Sequence, residues 1–107
     1  MNTDPARLYR ISFLQPARER IKRCAQAATG LGIAQEYAAT LRVILDRLAR
    51  EPAEWGDPYK RLHAAKLLIY KRLYNGLYVE YAVHEEARVV FVRDCRPVLD
   101  HPLKPFA

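Results

Sequence analysis

No apolar run in this 107-residue chain approaches the roughly 20 residues that a membrane-spanning helix needs. The opening MNTDPARLYR also lacks the apolar centre of a secretory signal, so a cytoplasmic protein with no membrane partner is expected. Cysteine is scarce. Cys24 and Cys95 stand far apart, in neither a disulfide framework nor a metal-ligand spacing, and two reduced core thiols are expected. There is no phosphate-cradling glycine loop, no metal signature and no serine or cysteine nucleophile motif. The three histidines, His63, His84 and His101, are scattered. No metal or other cofactor is expected.

What the chain does have is a hairpin signal and an excess of positive charge. Asn75-Gly76 lies between two runs rich in β-branched and aromatic residues, and these two residue types best tolerate the positive φ of a type I′ turn. A two-residue loop pairs Tyr74 with Leu77, Arg72 with Val79, Lys71 with Glu80, Tyr70 with Tyr81 and Leu68 with Val83. One face then carries Leu68, Tyr70, Arg72, Tyr74, Leu77, Val79, Tyr81 and Val83, the more apolar set and the expected core face. The other carries Leu67, Ile69, Leu73, Tyr78, Ala82, His84 and a cross-strand Lys71–Glu80 pair. A second turn at His84–Ala87 leads into a strand over Arg88–Arg93. That strand is apolar on both parities, which suggests cover on both faces and leaves its inward face open.

The remaining elements follow from periodicity. Residues 1–6 read as a loose lead-in, and Leu8–Leu14 alternates as a short strand. Pro16 opens a helix with Ala17, Ile21, Cys24, Ala25 and Ala28 on one stripe, stopped by Gly30 and Gly32. Ile33, Tyr37, Leu41, Ile44, Leu45 and Leu48 make the apolar face of a second helix, ended by Glu51-Pro52. The two helices form a hairpin expected to pack on one side of the sheet. Residues 52–58 read as a loop in which Trp55 caps the core edge or offers a platform for a base. Residues 97–107 read as an irregular, extended, proline-containing tail. The whole chain reads as one α+β domain.

Net charge is +6, from 18 Lys and Arg against 12 Asp and Glu, which favours an anionic partner. From Pro58 to Val79 the chain carries Lys60, Arg61, Lys66, Lys71 and Arg72 with no acid. Tyr59, Tyr70, Tyr74 and Tyr78 interleave with them. Cations among aromatics suit a polyanion whose bases stack, and equally suit a solvated sheet edge.

In the order strand, helical hairpin, three-stranded antiparallel meander, this basic chain resembles the RelE/ParE superfamily of bacterial type II toxins. The pattern Gly-x-Arg-x-x-Tyr-x-Val meets Gly76-Leu77-Tyr78-Val79-Glu80-Tyr81-Ala82-Val83 without a gap. Glu85-Glu86 supplies the acidic turn, and Val89-Val90-Phe91-Val92 the apolar strand. Pro52, Gly56-Asp57 and Leu62 look like the family's link from helices to sheet.

The resemblance implies a toxin held inactive by a cognate antitoxin from an adjacent gene. In the RelE branch it implies cleavage of mRNA on the ribosome, the 2′-hydroxyl attacking its own phosphate. That reaction needs a proton acceptor, a proton donor and cations on the developing charge. Lys71 falls on a catalytic lysine position. The family's arginine after the turn becomes Tyr78, its lysine two before Lys71 becomes Ile69, and Arg96 lies near the C-terminal arginine position. The terminal tyrosine has no counterpart. As an enzyme, the domain is expected to use Lys71, Tyr78 and Arg93 for catalysis, with Arg72 a further phosphate-facing cation and His84 or His101 alternative proton carriers. Lys60, Arg61, Lys66, Arg72 and Arg96 are the expected nucleic-acid or partner-binding cations. As a ParE-like module, the same cations dock DNA gyrase or another protein with no chemistry.

Overall fold

A computed structural model describes residues 8–107, so the lead-in expected over residues 1–6 lies outside the described residues. The first strand, β1 (Arg10–Phe13), is followed by α1 (Gln15–Leu31) and α2 (Ala34–Arg50). A single helical turn, α3 (Pro52–Trp55), leads into β2 (Asp57–Leu62), β3 (Leu67–Tyr74), β4 (Leu77–His84) and β5 (Val89–Pro97). The fold is α+β, with one mixed five-stranded sheet in the order β1-β5-β4-β3-β2. β1 runs parallel to β5, and every other pairing is antiparallel. No helix among the described residues is long and apolar enough to cross a membrane.

The β3–β4 hairpin has the register that its turn chemistry predicts, from Tyr74 opposite Leu77 to Leu68 opposite Val83. Asn75 and Gly76 take φ of 47° and 77°. One parity therefore faces the helices: Tyr70, Leu77, Val79, Tyr81 and Val83 join Ala17, Cys24, Ala28, Tyr37, Ile44 and Leu48 in the core. β5 resolves its own ambiguity. Val90, Val92 and Cys95 enter that core, whereas Val89 and Phe91, of the other parity, lie on the face opposite α1 and α2. α1 runs through Gly30 to Leu31, and Gly32 alone, in the left-handed region at φ 74°, caps it. Both thiols are buried and unpaired in a disulfide.

Two expectations need correction. Residues 52–58 are not a loop: Pro52 starts the α3 turn, and Asp57 begins an edge strand that pairs with β3. The antiparallel part of the sheet therefore has four strands rather than three. Pro58 lacks an N–H, which an edge strand tolerates, and a register shift between Pro58 and Lys60 accommodates Tyr59. Nor is the tail extended. β5 continues through Pro97, Val98 donates to the Gly76 carbonyl at 2.9 Å, and a 3-10 turn at Lys104–Phe106 follows the fully buried Leu103. The apolar area of Leu103 gives the tail a reason to fold back that proline content does not reveal.

Trp55 is buried against Tyr74, edge-on at 6.0 Å, and against Tyr81 at 6.2 Å. It closes the core edge where α3 passes into β2. Tyr81 is fully buried, stacks on Tyr70 at 5.3 Å and donates to the Pro52 carbonyl at 2.6 Å. The α3 turn is thereby fastened to the middle of the sheet.

Candidate functional site

Parity decides which polar side chains share a surface. Lys71 on β3 and Tyr78 and Glu80 on β4 point away from the helices. On β5 the register shifts so that Tyr81 opposes Val92 and Glu80 opposes Asp94, leaving Arg93 as the inserted residue. The bulge aims Arg93 at Glu80, with Nη1 3.3 Å from Oε2. The other carboxylate oxygen, Oε1, accepts the hydroxyls of Tyr59 at 2.8 Å and Tyr78 at 3.0 Å. Lys71 Nζ stands 5.2 Å from the Tyr59 ring centre, and the Arg96 guanidinium 4.9 Å from that of Tyr78. Lys60 lies on the same face by its pairing with Ile69.

Asp94 closes the patch on the outer side. β1 accompanies β5 only as far as Val92, so the following residues form a sheet edge around which Arg20 of α1 reaches to Asp94. Arg96 also approaches Asp94, at 3.6 Å. Beside the patch, on the same face, an apolar hollow of about 290 Å³ is lined by Leu14, Leu62, Leu67, Ile69, Ala82 and Phe91, with Arg93 at the boundary.

The electrostatics constrain the chemistry. Burial first, and then the bond to Glu80, push the Tyr78 hydroxyl up to about 12. Tyr59 is also raised, chiefly by its bond to Glu80. Both phenols stay protonated at neutral pH, so each can donate a proton and neither is a resident base. Among the described residues, no group of three or more His, Cys, Asp or Glu side chains is placed to hold a metal.

The residues singled out in the sequence divide between several places. Lys71, Tyr78, Arg93 and Arg96 come together around Glu80. The expected Lys71–Glu80 ion pair does not form, because Arg93 and the two phenols take the carboxylate while the lysine lies over Tyr59. Arg72 is not phosphate-facing. It points to the helix side, donates to the Trp55 carbonyl at 2.9 Å and stacks on that ring at 5.3 Å. Arg61 and Lys66 line a separate polar hollow of about 350 Å³ at the far end of the sheet, with His63, His84, Glu85 and Glu86. There Lys66 pairs with Glu86 at 3.6 Å. His84 Nδ1 accepts the Ala87 N–H, and His101 Nδ1 accepts the Leu103 N–H, both remote from Glu80 in the fold.

Sequence reasoning missed Glu80 as a hub and Tyr59 as its partner. The period-2 pattern placed Glu80 on the right face. The bulge that brings Arg93 within reach, and the edge strand that carries Tyr59, had no signal of comparable strength. No family model, no curated protein and no solved structure matches the chain.

Proposed function

We propose that this chain is the toxin component of a bacterial type II toxin–antitoxin system, of the RelE/ParE kind, acting in the cytoplasm on mRNA at the ribosome. The observation that carries this reading is the gathering of Lys71, Arg93, Arg96 and two tyrosines on the sheet face opposite α1 and α2. Such a surface suits a single-stranded polyanion, since cations meet phosphates and aromatic rings or the adjacent apolar hollow receive bases. The acid-free run from Pro58 to Val79 and the net charge of +6 favour the same partner.

In this reading the 2′-oxygen attacks the adjacent phosphorus as the bond from phosphorus to the 5′-oxygen breaks. The 2′-hydroxyl proton passes to the Glu80 carboxylate, the anionic acceptor that the incoming strand frees from Tyr78 and Arg93. Lys71 and Arg93 stabilise the charge that builds on the phosphoryl oxygens. Tyr78, held protonated, donates to the departing 5′-oxygen. The products are a 2′,3′-cyclic phosphate and a free 5′-hydroxyl.

A second reading has its own support. Tyr78 and Ile69 stand where the RelE pattern has an arginine and a lysine, and the phenols and Arg93 are already committed to Glu80. Those features favour a ParE-like toxin that binds DNA gyrase or another protein without chemistry. Induced expression without the partner, followed by mapping of mRNA 5′ ends and of plasmid supercoiling, separates the two. Cuts within ribosome-bound mRNA support the nuclease, and altered supercoiling with intact mRNA supports the binder. Growth that continues with both unchanged would overturn the toxin assignment.

A further inference from the structure

Donors that converge on one point define a seat for an anion, and on the face of the sheet opposite α1 and α2 that seat is filled from within. Tyr59 and Tyr78 donate their hydroxyl protons to the Glu80 carboxylate, and the Arg93 guanidinium pairs with its other oxygen at 3.3 Å. The three come from different strands: Tyr59 from β2, Tyr78 from β4 and Arg93 from the β5 bulge. Lys71 and Arg96 flank the seat through the rings of Tyr59 and Tyr78. A carboxylate and a phosphodiester both offer two oxygens to such a set, and guanidinium groups recognise either.

We propose that Tyr59, Tyr78 and Arg93 form a binding site for a backbone phosphate of single-stranded RNA, and that Glu80 occupies it as an internal competitor that the phosphate displaces.

Three observations carry this. First, the three groups around Glu80 are all donors, two phenols that hydrogen-bond to it and a guanidinium that pairs with it. Second, the Glu80 side chain keeps 19 % of its surface exposed, and its ion pair with Arg93 is 3.3 Å long, so the competitor sits at the rim and can swing outward. Third, of the other acids on this face, Asp94 is held by Arg20 from α1 and Asp57 stands opposite Lys71 on the edge strand, and neither occupies the seat. With Glu80 displaced, Lys71, Arg93 and Arg96 remain to meet a phosphate. With Glu80 in place, the phosphate meets its repulsion. Glu80 therefore sets a threshold: an isolated phosphate competes poorly, whereas a strand that also fills the neighbouring apolar hollow gains enough elsewhere to move it.

This inference deepens the nucleic-acid reading of the face and rests on it, but its test reads binding rather than cleavage. Glu80→Gln keeps the shape and the acceptor while removing the charge, and Glu80→Ala empties the seat. The probe is a fluorescein-labelled single-stranded RNA hexamer carrying 2′-O-methyl groups, which cannot be cut, measured by anisotropy at fixed salt. Both variants are expected to bind at least about tenfold more tightly than the unchanged protein, a difference of about 1.4 kcal/mol. Adding Tyr59→Phe and Tyr78→Phe to Glu80→Ala should abolish the gain. Circular dichroism and thermal melting confirm that each variant is folded, and Glu80→Gln carries the test if the alanine variant is not.

Equal or weaker binding by a folded Glu80→Gln protein would overturn the proposal. So would a gain that survives loss of both phenols, since general charge removal would then explain it. Tighter binding without any mRNA cleavage by the unchanged protein sustains the phosphate seat while removing the nuclease. Cleavage by the unchanged protein with no gain in the variants does the reverse.

Discussion

Tyr81 shows how far one side chain can reach in a sheet this small. It is fully buried, stacks on Tyr70, touches Trp55 and donates to the Pro52 carbonyl. Gly56 makes room for it: a Cβ there would stand 2.4 Å from the Tyr81 hydroxyl oxygen, a distance no real contact tolerates. Gly56→Ala should therefore displace the phenol and break its bond to Pro52. The expected loss is about 1–3 kcal/mol by urea denaturation, the range for a buried polar group left unpaired. Tyr81→Phe removes the same bond without the clash and should cost about 1 kcal/mol. If Gly56→Ala is no worse than Tyr81→Phe, steric crowding is not what that glycine avoids. Lys71 provides the contrasting case, since its ammonium lies over an exposed ring and enters no core contact. Lys71→Ala should leave the melting temperature nearly unchanged, because an exposed cation–ring contact is worth about 0.5–1 kcal/mol. If the patch is catalytic, cleavage of ribosome-bound mRNA should fall on the order of 100-fold. Equal cleavage by the two proteins would remove Lys71 from the chemistry.

Between elements, the C-terminal tail and the β3–β4 hairpin hold one another. Val98 donates to the Gly76 carbonyl, and His101 packs so closely on Gly76 that a Cβ there would approach the imidazole to 2.9 Å. His101 Nδ1 accepts the Leu103 N–H at 3.0 Å, which positions Leu103 in the core. That acceptor exists only in the neutral ring, and burial lowers the His101 pKa below its ordinary value of 6.5. A base with a depressed folded pKa contributes stability that is complete above its unfolded pKa and is lost as pH falls through the folded one. Melting temperature should thus decline as pH is taken from 7 towards 5. His101→Asn keeps an acceptor near the Nδ1 position but does not titrate, and should flatten that part of the curve. An unchanged slope in the variant would place the titration elsewhere. Gly76→Ala tests the same joint by strain, since its φ of 77° and the His101 contact both oppose a side chain. Protease digestion should release the tail sooner in that variant.

For the whole molecule, asymmetry is the main feature. Both long helices cover one face of the sheet, and the opposite face combines an apolar hollow with a cationic, tyrosine-rich patch. If the chain is a toxin as proposed, an antitoxin rich in acids would complement that face. Because such a partner would bind only the folded chain, it should raise the melting temperature by mass action, by about 2.7 kcal/mol of stability at a hundredfold excess over its Kd. Co-expression with the product of the adjacent gene, followed by purification and thermal melting, checks this. A neighbouring product that neither co-purifies nor shifts the transition would argue against the pairing.

Local chemistry was enough for the sequence to determine the β3–β4 hairpin, its register and its inward face. Asn75-Gly76 dictates the turn, and strict alternation ties every later side chain to one side. The two helices were legible for a similar reason, their apolar stripes recurring at helical spacing, whereas Trp55 was open between the core edge and a platform for a base until its packing against Tyr74 and Tyr81 decided it. β2 was not, because Asp57–Leu62 is exposed along almost its whole length and is held by backbone pairing to β3 rather than by an apolar pattern of its own. The Glu80 hub depends on that pairing, on the inserted Arg93 and on rings from separate strands. Arg72 carries the same lesson: its charge pointed to phosphate, yet its parity sends it to Trp55. Periodicity tells which face a side chain leaves from, but only the assembled sheet decides which neighbours await it there.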